Sequence, residues 1–315
     1  MAKLKALLLT EGYHGMISQA EGLAKALQTE FQHKIVRLNW PWNFIPPKLT
    51  PISEIILKDK HYINENKSFD LVISCGRKSV IPSAIIKKKH ANIFTIHIQD
   101  PKVNYKNFDV IIAPEHDDLK GENVISSKGS IHYITQSEIE KAKNYLVNKF
   151  HNENVVSLIL GGPSKYYSFS NEDLTQVFRK IKSNFISQGY KALVIPSMRT
   201  PKRIIDLAMK EFVKVGFVVN TVDKQAYLSA LALATNIVVT CDSTSMISEA
   251  AASGKPIFVA HMKPKKNNYR FKKFFQLFKE MGITKELGDK VDNWTYNRLN
   301  EADRIATLMS KKLTN

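Results

Sequence analysis

The chain has 315 residues, of which 43% are hydrophobic and 24% are charged, a composition typical of a folded globular protein. Its length predicts two domains of about 150 residues each. No segment approaches the ~20 apolar residues that a membrane-spanning helix needs. The N-terminal apolar run ends at Thr10 and indicates a first β-strand, not a signal peptide. Two cysteines, Cys75 and Cys241, cannot form a disulfide framework, so we expect a reduced, cytoplasmic protein.

The formal net charge of +17 is the most unusual feature of the composition. Nucleic acid, an anionic membrane surface or an anionic substrate would each be attracted by it. A general enrichment in lysine would produce the same charge without any partner. The charge alone does not choose among these alternatives, although we do not favour nucleic acid.

Short apolar strands alternate with helix-like segments from the N-terminus onward. In chain order, the first half predicts a strand at 5–10, a helix at 18–31, a strand at 34–38, a helix at 52–64, a strand at 70–74, a helix at 80–88, strands at 92–98 and 109–113, and a helix at 138–150. The pattern restarts near residue 152 with strand 155–160, helix 174–187, strand 191–196, helix 204–213, strand 215–220, helix 226–234, strand 237–240, helix 245–253 and strand 256–260, and a terminal helix follows at 294–312.

Strands that are apolar almost throughout, separated by helices, indicate parallel sheets covered on both faces. We therefore predict an α/β protein of two doubly wound, Rossmann-like domains that face each other across a cleft. The predicted domains span 1–151 and 152–295, and a C-terminal helix at 296–315 packs back toward the first domain.

Polar residues follow the strands of the second half, at the edge where open parallel sheets bind ligands. After strand 237–240, Asp242, Ser243, Ser245 and Met246 open a helix that carries Glu249 about two turns in. Hydroxyl groups and free N–H groups at a helix N-terminus suit a diphosphate, and Glu249 suits ribose hydroxyls. Capping of the helix by Asp242 or Ser243 is the simpler alternative, but it accounts for one residue of the set.

Two other strand ends in this half carry candidate residues. Gly161 and Gly162 would let the backbone approach a ligand closely, and Arg199, between Ser197 and Thr200, could hold phosphate. Glycine pairs are common in turns and exposed arginines are commonly only solvated. Their position at strand ends is what favours a ligand-binding role.

In the first half, the loop after the first strand carries His14 between Gly12 and Gly15. It has neither a dinucleotide-binding glycine pattern nor a P-loop. His14 could act as a general base toward an acceptor hydroxyl, or it could only order the turn. Asp100, after the strand at 92–98, is a second candidate base, and Arg77 with Lys78 places two cations at another helix start.

Three other sequence patterns have a simple structural explanation or lack a needed partner. Residues 115–118 contain metal-ligand types, but adjacent side chains cannot all face one ion and no second cluster has a fitting spacing, so we expect no metal. Neither cysteine has a histidine nearby in sequence, which disfavours a catalytic cysteine. A helical face of Phe271, Phe274, Phe275 and Phe278 with basic neighbours packs on the core or docks on anionic lipid, and we favour the core.

Together these strand-end segments resemble the family named for mitochondrial fission, the "elongated mitochondria" family, which has many bacterial members. The resemblance covers nearly the whole chain. One departure is Met198, where the family pattern leads us to expect a second arginine, so Arg199 alone meets phosphate. The matching segments are 11–19, 75–79, 98–101 and 114–117 in the first half and 161–162, 196–201 and 240–250 in the second.

The resemblance implies a glycosyltransferase B fold with a nucleotide-sugar site. We expect a metal-independent transfer of sugar from a nucleoside-diphosphate sugar to an envelope glycan or glycolipid, such as lipopolysaccharide, with no cofactor beyond the donor. The alternatives are a nucleotide-sugar epimerase on the same fold and a non-catalytic recruiting protein, because plant members recruit a fission dynamin. The expected partners are the nucleotide sugar, an anionic glycan or glycolipid acceptor and, for a protein peripheral at the inner membrane, an anionic membrane surface.

Each candidate residue has an expected role. Ser243, Ser245 and Arg199 hold the diphosphate and Glu249 the ribose. His14, or failing it Asp100, deprotonates the acceptor. The donor side also includes Gly161, Gly162, Ser197, Thr200, Asp242 and Met246, and the acceptor side includes Glu11, Gly12, Gly15, Gln19, Gly76, Arg77, Lys78 and Gln99.

Overall fold

Parallel strands with nearly continuous apolar sequences form the centre of each half of the chain. The computed structural model describes residues 3–64, 69–288 and 290–313, and it divides into two units. The first unit runs up to Tyr133 and resumes at Asn300, and the second spans Ile134–Leu299. Within the described residues, each unit contains one six-stranded parallel sheet.

The sheet of the first unit has the strand order β2-β1-β3-β4-β5-β6, with parallel pairing throughout. Its strand β3 is buried at every position, as expected for a strand covered on both faces. The strands are β1 Lys5–Thr10, β2 Glu30–Ile35, β3 Leu71–Cys75, β4 Phe94–Ile98, β5 Val110–Pro114 and β6 Val124–Ser127.

Helices cover both faces of this first sheet. On one face, Leu23 of α1 and Ile305 of α10 pack in a core with Leu8 of β1. On the other, Ile81 of α3 packs in a separate core with Leu7 of β1. Alternate residues of β1 thus serve the two cores, as the two-residue period of a strand requires. The helices are α1 His14–Ala26, α2 His61–Asn64, α3 Val80–Lys89 and α10 Glu301–Leu313.

The second sheet has the order β12-β11-β10-β7-β8-β9 and is again parallel. Large aromatic side chains join its helices to each other and to the sheet, as in the edge-to-face contact of Phe178 with Phe212 at 5.1 Å between centroids. The strands are β7 Val155–Leu160, β8 Lys191–Pro196, β9 Gly216–Val218, β10 Asn236–Thr240, β11 Ile257–Ala260 and β12 Thr284–Glu286. The helices are α4 Gln136–Ala142, α5 Asn171–Asn184, α6 Lys202–Phe212, α7 Lys224–Leu233, α8 Thr244–Ala251 and α9 Tyr269–Glu280.

The boundary between the units differs from the predicted one at residue 151. The structure assigns α4 and the turns after it to the second unit, because Leu146 and Phe150 are buried in a core with Leu193 of β8. Helix α10 belongs to the first unit and begins at Glu301, later than the predicted start. An amphipathic segment carries no sign in its own sequence of which sheet it will cover.

The predicted helix at 52–64 is wrong over most of its length. Only short helical turns form there, at Glu54–Ile56 and in α2. Leu57 instead forms an antiparallel bridge with Leu38, and the Asn39 side-chain amide donates to the carbonyls of Ile55 and Leu57 at 3.0 and 3.1 Å. These tertiary hydrogen bonds occupy the carbonyl groups that a helix would use. Strands β6 and β12 were not predicted, and β2 begins four residues earlier than the predicted strand.

The phenylalanine-rich segment forms α9, and its aromatic face packs inward. Phe274 and Phe278 are fully buried, while Phe271 makes an edge-to-face contact with Tyr167 at 5.2 Å between centroids. The structure therefore supports the core alternative for this face. Over the described residues, the helices all fall short of the length and apolar character that crossing a membrane demands.

Gly22 provides a test of the packing between α1 and the segment around His132, just before the chain enters the second unit. A Cβ at this position would lie 2.4 Å from the backbone carbonyl of His132, so Gly22→Ala must displace backbone. We expect the free energy of unfolding to fall by about 1–3 kcal/mol, measured by urea titration followed by circular dichroism. Gly15→Ala in the same helix meets no atom within 4 Å and should leave stability unchanged or raised by up to ~1 kcal/mol. Equal stability of the two variants would contradict this packing.

Candidate functional site

The carboxyl edge of the second sheet brings together three of the predicted segments. Strand β7 lies between β10 and β8, so the chain order reverses across it, and such a switch point is where open α/β sheets bind ligands. The residues that follow these three strands are Gly161 and Gly162, Ser197 to Thr200, and Cys241 to Ser243. The structure therefore confirms that these segments are neighbours.

Asp242 joins the three strand ends. Its side chain pairs with Arg199 at 2.5 Å between Oδ2 and Nη2, and its Oδ1 accepts a 2.7 Å hydrogen bond from the Thr240 hydroxyl. The Gly162 amide donates to Oδ2 at 3.3 Å. The residue is only 4% exposed, and this burial raises the pKa of the Asp242 carboxyl, while Arg199 acts in the opposite direction. Arg199 thus pairs with a buried carboxylate, although its own side chain remains partly exposed.

Both glycines at the end of β7 have a packing reason inside the protein. A Cβ on Gly161 would lie 2.1 Å from the Asp242 carboxylate, and one on Gly162 would lie 1.9 Å from the Arg199 carbonyl oxygen. Any side chain here would therefore separate the three strand ends. The approach of a ligand to this backbone stays a prediction.

Ser197 and Thr200 close the loop after β8. The Thr200 hydroxyl lies 2.8 Å from the carbonyl oxygens of Leu160 and Gly161 and accepts from the Ser197 amide at 2.8 Å. A hydroxyl has one proton to donate, so it bonds one of the two carbonyls at a time. These contacts attach the β8 loop to the end of β7 and hold Arg199 at the edge.

Helix α8 begins at this edge. The Ser243 hydroxyl caps it by accepting from the Met246 amide at 3.3 Å, as the capping alternative predicts. Residues 243–246, which include Ser245, are partly exposed. The start of α8 therefore has both a cap and accessible polar groups.

Glu249 lies two turns into α8 and is the most perturbed carboxyl group of the second unit. The Tyr227 hydroxyl donates to its Oε2 at 3.0 Å. Removal of the carboxyl from water raises the pKa of Glu249 from 4.5 to about 7, against the lowering effect of the Tyr227 hydrogen bond. The residue as a whole is only partly buried, although its carboxyl group is removed from water, and Tyr227 of α7 orients that group. Sequence inspection did not single out Tyr227, because nothing in its own segment marks it as a partner of α8.

The carboxyl edge of the first sheet is held by a second carboxylate. Glu11, after β1, accepts from the Lys78 amide at 3.1 Å, and its other oxygen lies 3.8 Å from the Lys78 ammonium group. Gly76 has a positive φ of 97°, and a Cβ there would lie 2.5 Å from the Met16 sulfur. Gly12 also has a positive φ, of 86°, and its amide donates to the Thr10 hydroxyl at 3.0 Å.

A cavity of about 340 Å³ opens at this edge of the first sheet. Arg77, which lines it, donates to the carbonyl oxygens of Asn43 and Ile45 at 2.5 and 3.0 Å, and Asp100 forms an ion pair with Lys102. The cavity therefore contains charged groups that already have protein partners. Its lining is Pro46, Pro47, Lys48, Gly76, Arg77, Val80, His97, Gln99, Asp100, Pro101 and Lys102.

The two candidate bases occupy different places in the first unit. Asp100 lines the cavity, whereas His14 opens α1, is exposed, and lies 3.2 Å from the Tyr133 hydroxyl through Nε2. Gln99 has a positive φ of 87°, which is uncommon for a residue with a side chain. Of the loop residues near His14, Gly15 is exposed, while Gln19 is buried and donates to the Gly15 carbonyl at 3.0 Å.

His97 lines the cavity and was not predicted. It is buried, its Nδ1 lies 2.9 Å from the Ser74 hydroxyl, and burial lowers the pKa of His97 to about 3, so the ring is neutral. A histidine within an otherwise apolar strand was the available sequence signal. In the residues that the structure covers, no group of three or more histidine, cysteine or carboxylate side chains is arranged to hold a metal ion, and the metal-free reaction stays a prediction.

Sequence comparison identifies relatives of the chain. The profile of the family described as Mitochondrial fission ELM1 matches residues 14–313. An uncharacterized protein of Rickettsia prowazekii is 28% identical over 281 residues, which is 76% of this chain and 78% of the relative. The mitochondrial fission protein ELM1 of Arabidopsis thaliana is 25% identical over 278 residues, 77% of this chain. The match spans 64% of the Arabidopsis protein, less than two thirds of its length.

Solved structures share the fold at low sequence identity. The UDP-GlcNAc 2-epimerase of Neisseria meningitidis, solved with UDP-GlcNAc bound, has a TM-score of 0.54 and 12% identity, with 99% of this chain and all of that chain covered. MurG of Acinetobacter baumannii has a TM-score of 0.50 and 13% identity, covering 99% of this chain and 92% of that chain. These likenesses confirm two doubly wound α/β domains of the glycosyltransferase B type.

The raised pKa of Glu249 predicts a pH-dependent contribution to stability. Between about pH 4.5 and pH 7 the folded state retains a proton that the unfolded carboxyl has released, so the stability contributed by this group falls as pH rises through that window. Glu249→Gln cannot ionise, and we expect its urea unfolding midpoint to exceed that of the parent chain by an amount that grows from pH 5 to pH 8. The exposed Glu280 provides the control, since Glu280→Gln should show no such trend. A constant difference across this range for Glu249→Gln would contradict the assignment.

Proposed function

We propose that this chain, which belongs to the mitochondrial fission ELM1 family, binds a nucleoside-diphosphate sugar at the carboxyl edge of its second sheet. The observation that carries the proposal is the placement of Arg199, the start of α8 and Glu249 around one switch point. A diphosphate needs hydrogen-bond donors and positive potential, and a ribose needs an acceptor for its hydroxyl groups. This edge offers both.

The diphosphate would lie between Arg199 and the start of α8. The guanidinium group has five N–H donors in a fixed plane, and the pair with Asp242 is made through Nη2 while the side chain remains partly exposed. The helix N-terminus adds a positive dipole end. Asp242 would act as a positioning residue, because it holds Arg199 in place without itself meeting the ligand.

Glu249 would accept hydrogen bonds from the ribose. The Tyr227 hydroxyl already orients one carboxylate oxygen. Ribose hydroxyls donate to a carboxylate more strongly than to a neutral acid, so binding would favour the charged form of a group whose pKa is about 7. The Neisseria epimerase of the same fold was solved with a nucleotide sugar bound, which supports this class of ligand.

The reaction proposed is sugar transfer to an envelope glycan or glycolipid on the cytoplasmic side of the inner membrane. An acceptor hydroxyl attacks the anomeric carbon, the bond from that carbon to the diphosphate breaks, and the diphosphate leaves with the electron pair. Asp100, which lines the 340 Å³ cavity, or His14 takes the proton of the acceptor. Arg199 and α8 would stabilise the charge that develops on the diphosphate.

Nucleotide titration tests the donor site directly. We expect isothermal titration to show binding of at least one of UDP, GDP, ADP and CMP. Arg199→Ala and Glu249→Ala should each weaken that binding about tenfold or more, as expected for the loss of a charge-assisted hydrogen bond. Arg179→Ala changes an exposed arginine of α5 and serves as the matched control. No binding of any nucleotide by the folded chain would refute the proposal.

Turnover of nucleotide sugars distinguishes transfer from its alternatives. The donor is the sugar conjugate of the nucleotide that binds in the titration. We expect loss of sugar from this donor, measured by NMR, only when a cell-envelope fraction is present as the acceptor. Asp100→Asn should reduce this turnover by about 100-fold or more if it is the base, with nucleotide affinity unchanged, and His14→Gln should do so if the histidine is the base. Interconversion of donor sugars with no acceptor present would instead identify an epimerase. Nucleotide binding without any turnover would favour a recruiting protein.

A further inference from the structure

The segment from Trp40 to Ile55 in the first unit presents large apolar side chains to solvent. Among the described residues, five large apolar side chains are 66% or more exposed, and four of them belong to this segment: Trp40 at 81%, Phe44 at 74%, Leu49 at 67% and Ile55 at 66%. Apolar residues exposed one at a time are ordinary, but several in one segment mark an interaction surface. We call these four side chains the 40–55 surface.

The 40–55 surface is held in an ordered segment. The Arg77 guanidinium group donates to two carbonyl groups of the segment, those of Asn43 and Ile45, and Asn39 donates to the carbonyl of Ile55. Trp42 and Ile52 pack against the core on one face of the sheet. The inward positions of the segment are therefore already occupied by Trp42 and Ile52.

Unpaired positive charges lie in or next to this segment. Arg37, Lys48, Lys58 and Lys60 are exposed, and none of them forms an ion pair within the residues that the structure covers. Of the acids in residues 37–60, Glu54 is paired with Lys89, and Asp59 is exposed and accepts from the His61 amide. The four cations outnumber these acids, so residues 37–60 combine exposed apolar side chains with an excess of positive charge.

We propose that the 40–55 surface docks on an anionic lipid membrane. Tryptophan, phenylalanine and aliphatic side chains partition into the headgroup region, while lysine and arginine meet lipid phosphates. Pro46, Pro47 and Lys48 of the same segment also line the 340 Å³ cavity that contains Asp100. Docking would therefore bring that cavity next to the lipid surface, which is where a lipid-linked acceptor would be found. This inference goes beyond nucleotide binding, which it does not require.

Vesicle co-sedimentation of the full chain tests the proposal. We expect binding to vesicles of phosphatidylglycerol and phosphatidylcholine, with weak binding to phosphatidylcholine alone. Trp40→Ser with Phe44→Ser should lower the partition coefficient for anionic vesicles by about tenfold or more. Lys48→Glu with Lys58→Glu, and 0.5 M salt, should weaken the same binding. The control, Val213→Ser with Tyr269→Ser, removes two exposed apolar side chains of the second unit and should bind as the parent chain does.

Independent measurements keep the outcomes separate. The emission of Trp40 should shift to shorter wavelength on anionic vesicles, and Trp40→Phe should remove that shift. Nucleotide titration of the Trp40→Ser, Phe44→Ser variant should match the parent chain, so a failure of the donor site and a failure of membrane docking are distinguishable. Equal vesicle binding by this variant and the parent chain, or no preference for anionic vesicles, would overturn the proposal. So would a dimer that the variant abolishes, because a second copy of the chain would then cover the surface.

Discussion

The ion pair between the buried Asp242 and the exposed Arg199 is the contact on which the arrangement of the second unit's edge depends. It connects the ends of β10 and β8, and the Gly162 amide adds the end of β7. A buried carboxylate is costly unless it is paired and hydrogen-bonded, and the Thr240 hydroxyl completes its partners. Arg199 is therefore held in position by the protein itself, and in the proposed function this preorganised charge would stabilise the leaving diphosphate.

Glu249 shows a different use of burial at the same edge. Burial raises the pKa of both Asp242 and Glu249. Arg199 acts against this at Asp242, whereas the Tyr227 hydrogen bond only partly offsets it at Glu249, whose pKa is about 7. Asp242 and Glu249 thus differ in their partners: Asp242 connects three strand ends, while Glu249 accepts from one hydroxyl of a neighbouring helix. The ribose-binding role belongs to the proposed function.

In the first unit, the charges that the sequence assigned to an acceptor mostly serve the protein itself. Lys78 contacts Glu11, and Arg77 holds the segment that carries Trp40. Asp100, the candidate base, pairs with Lys102. Other exposed cations, Arg37, Lys48, Lys58 and Lys60, lie in or next to the segment that carries Trp40 and Phe44, which is the charge that the proposed membrane docking uses.

The sequence by itself determined the fold class and the positions of most strands. Runs such as those of β3, β7 and β10 are apolar at nearly every position, and only a sheet covered on both faces buries such a run. It also located Asp242, Arg199 and Gly161, because the ends of parallel strands carry polar residues where a ligand binds.

Only the tertiary structure decided which partners these residues have. The need for glycine at Gly161 comes from Asp242, a residue about 80 positions away, and Tyr227 reaches Glu249 from another helix. The segment at 52–64 does not form one continuous helix because Asn39 and Leu38 bond to it, and residues 134–150 join the second unit because Leu146 and Phe150 are buried there. The periodicity of a segment shows which of its sides is apolar. Long-range contacts decide which surface that side packs against, and these contacts cannot be inferred from the local sequence pattern.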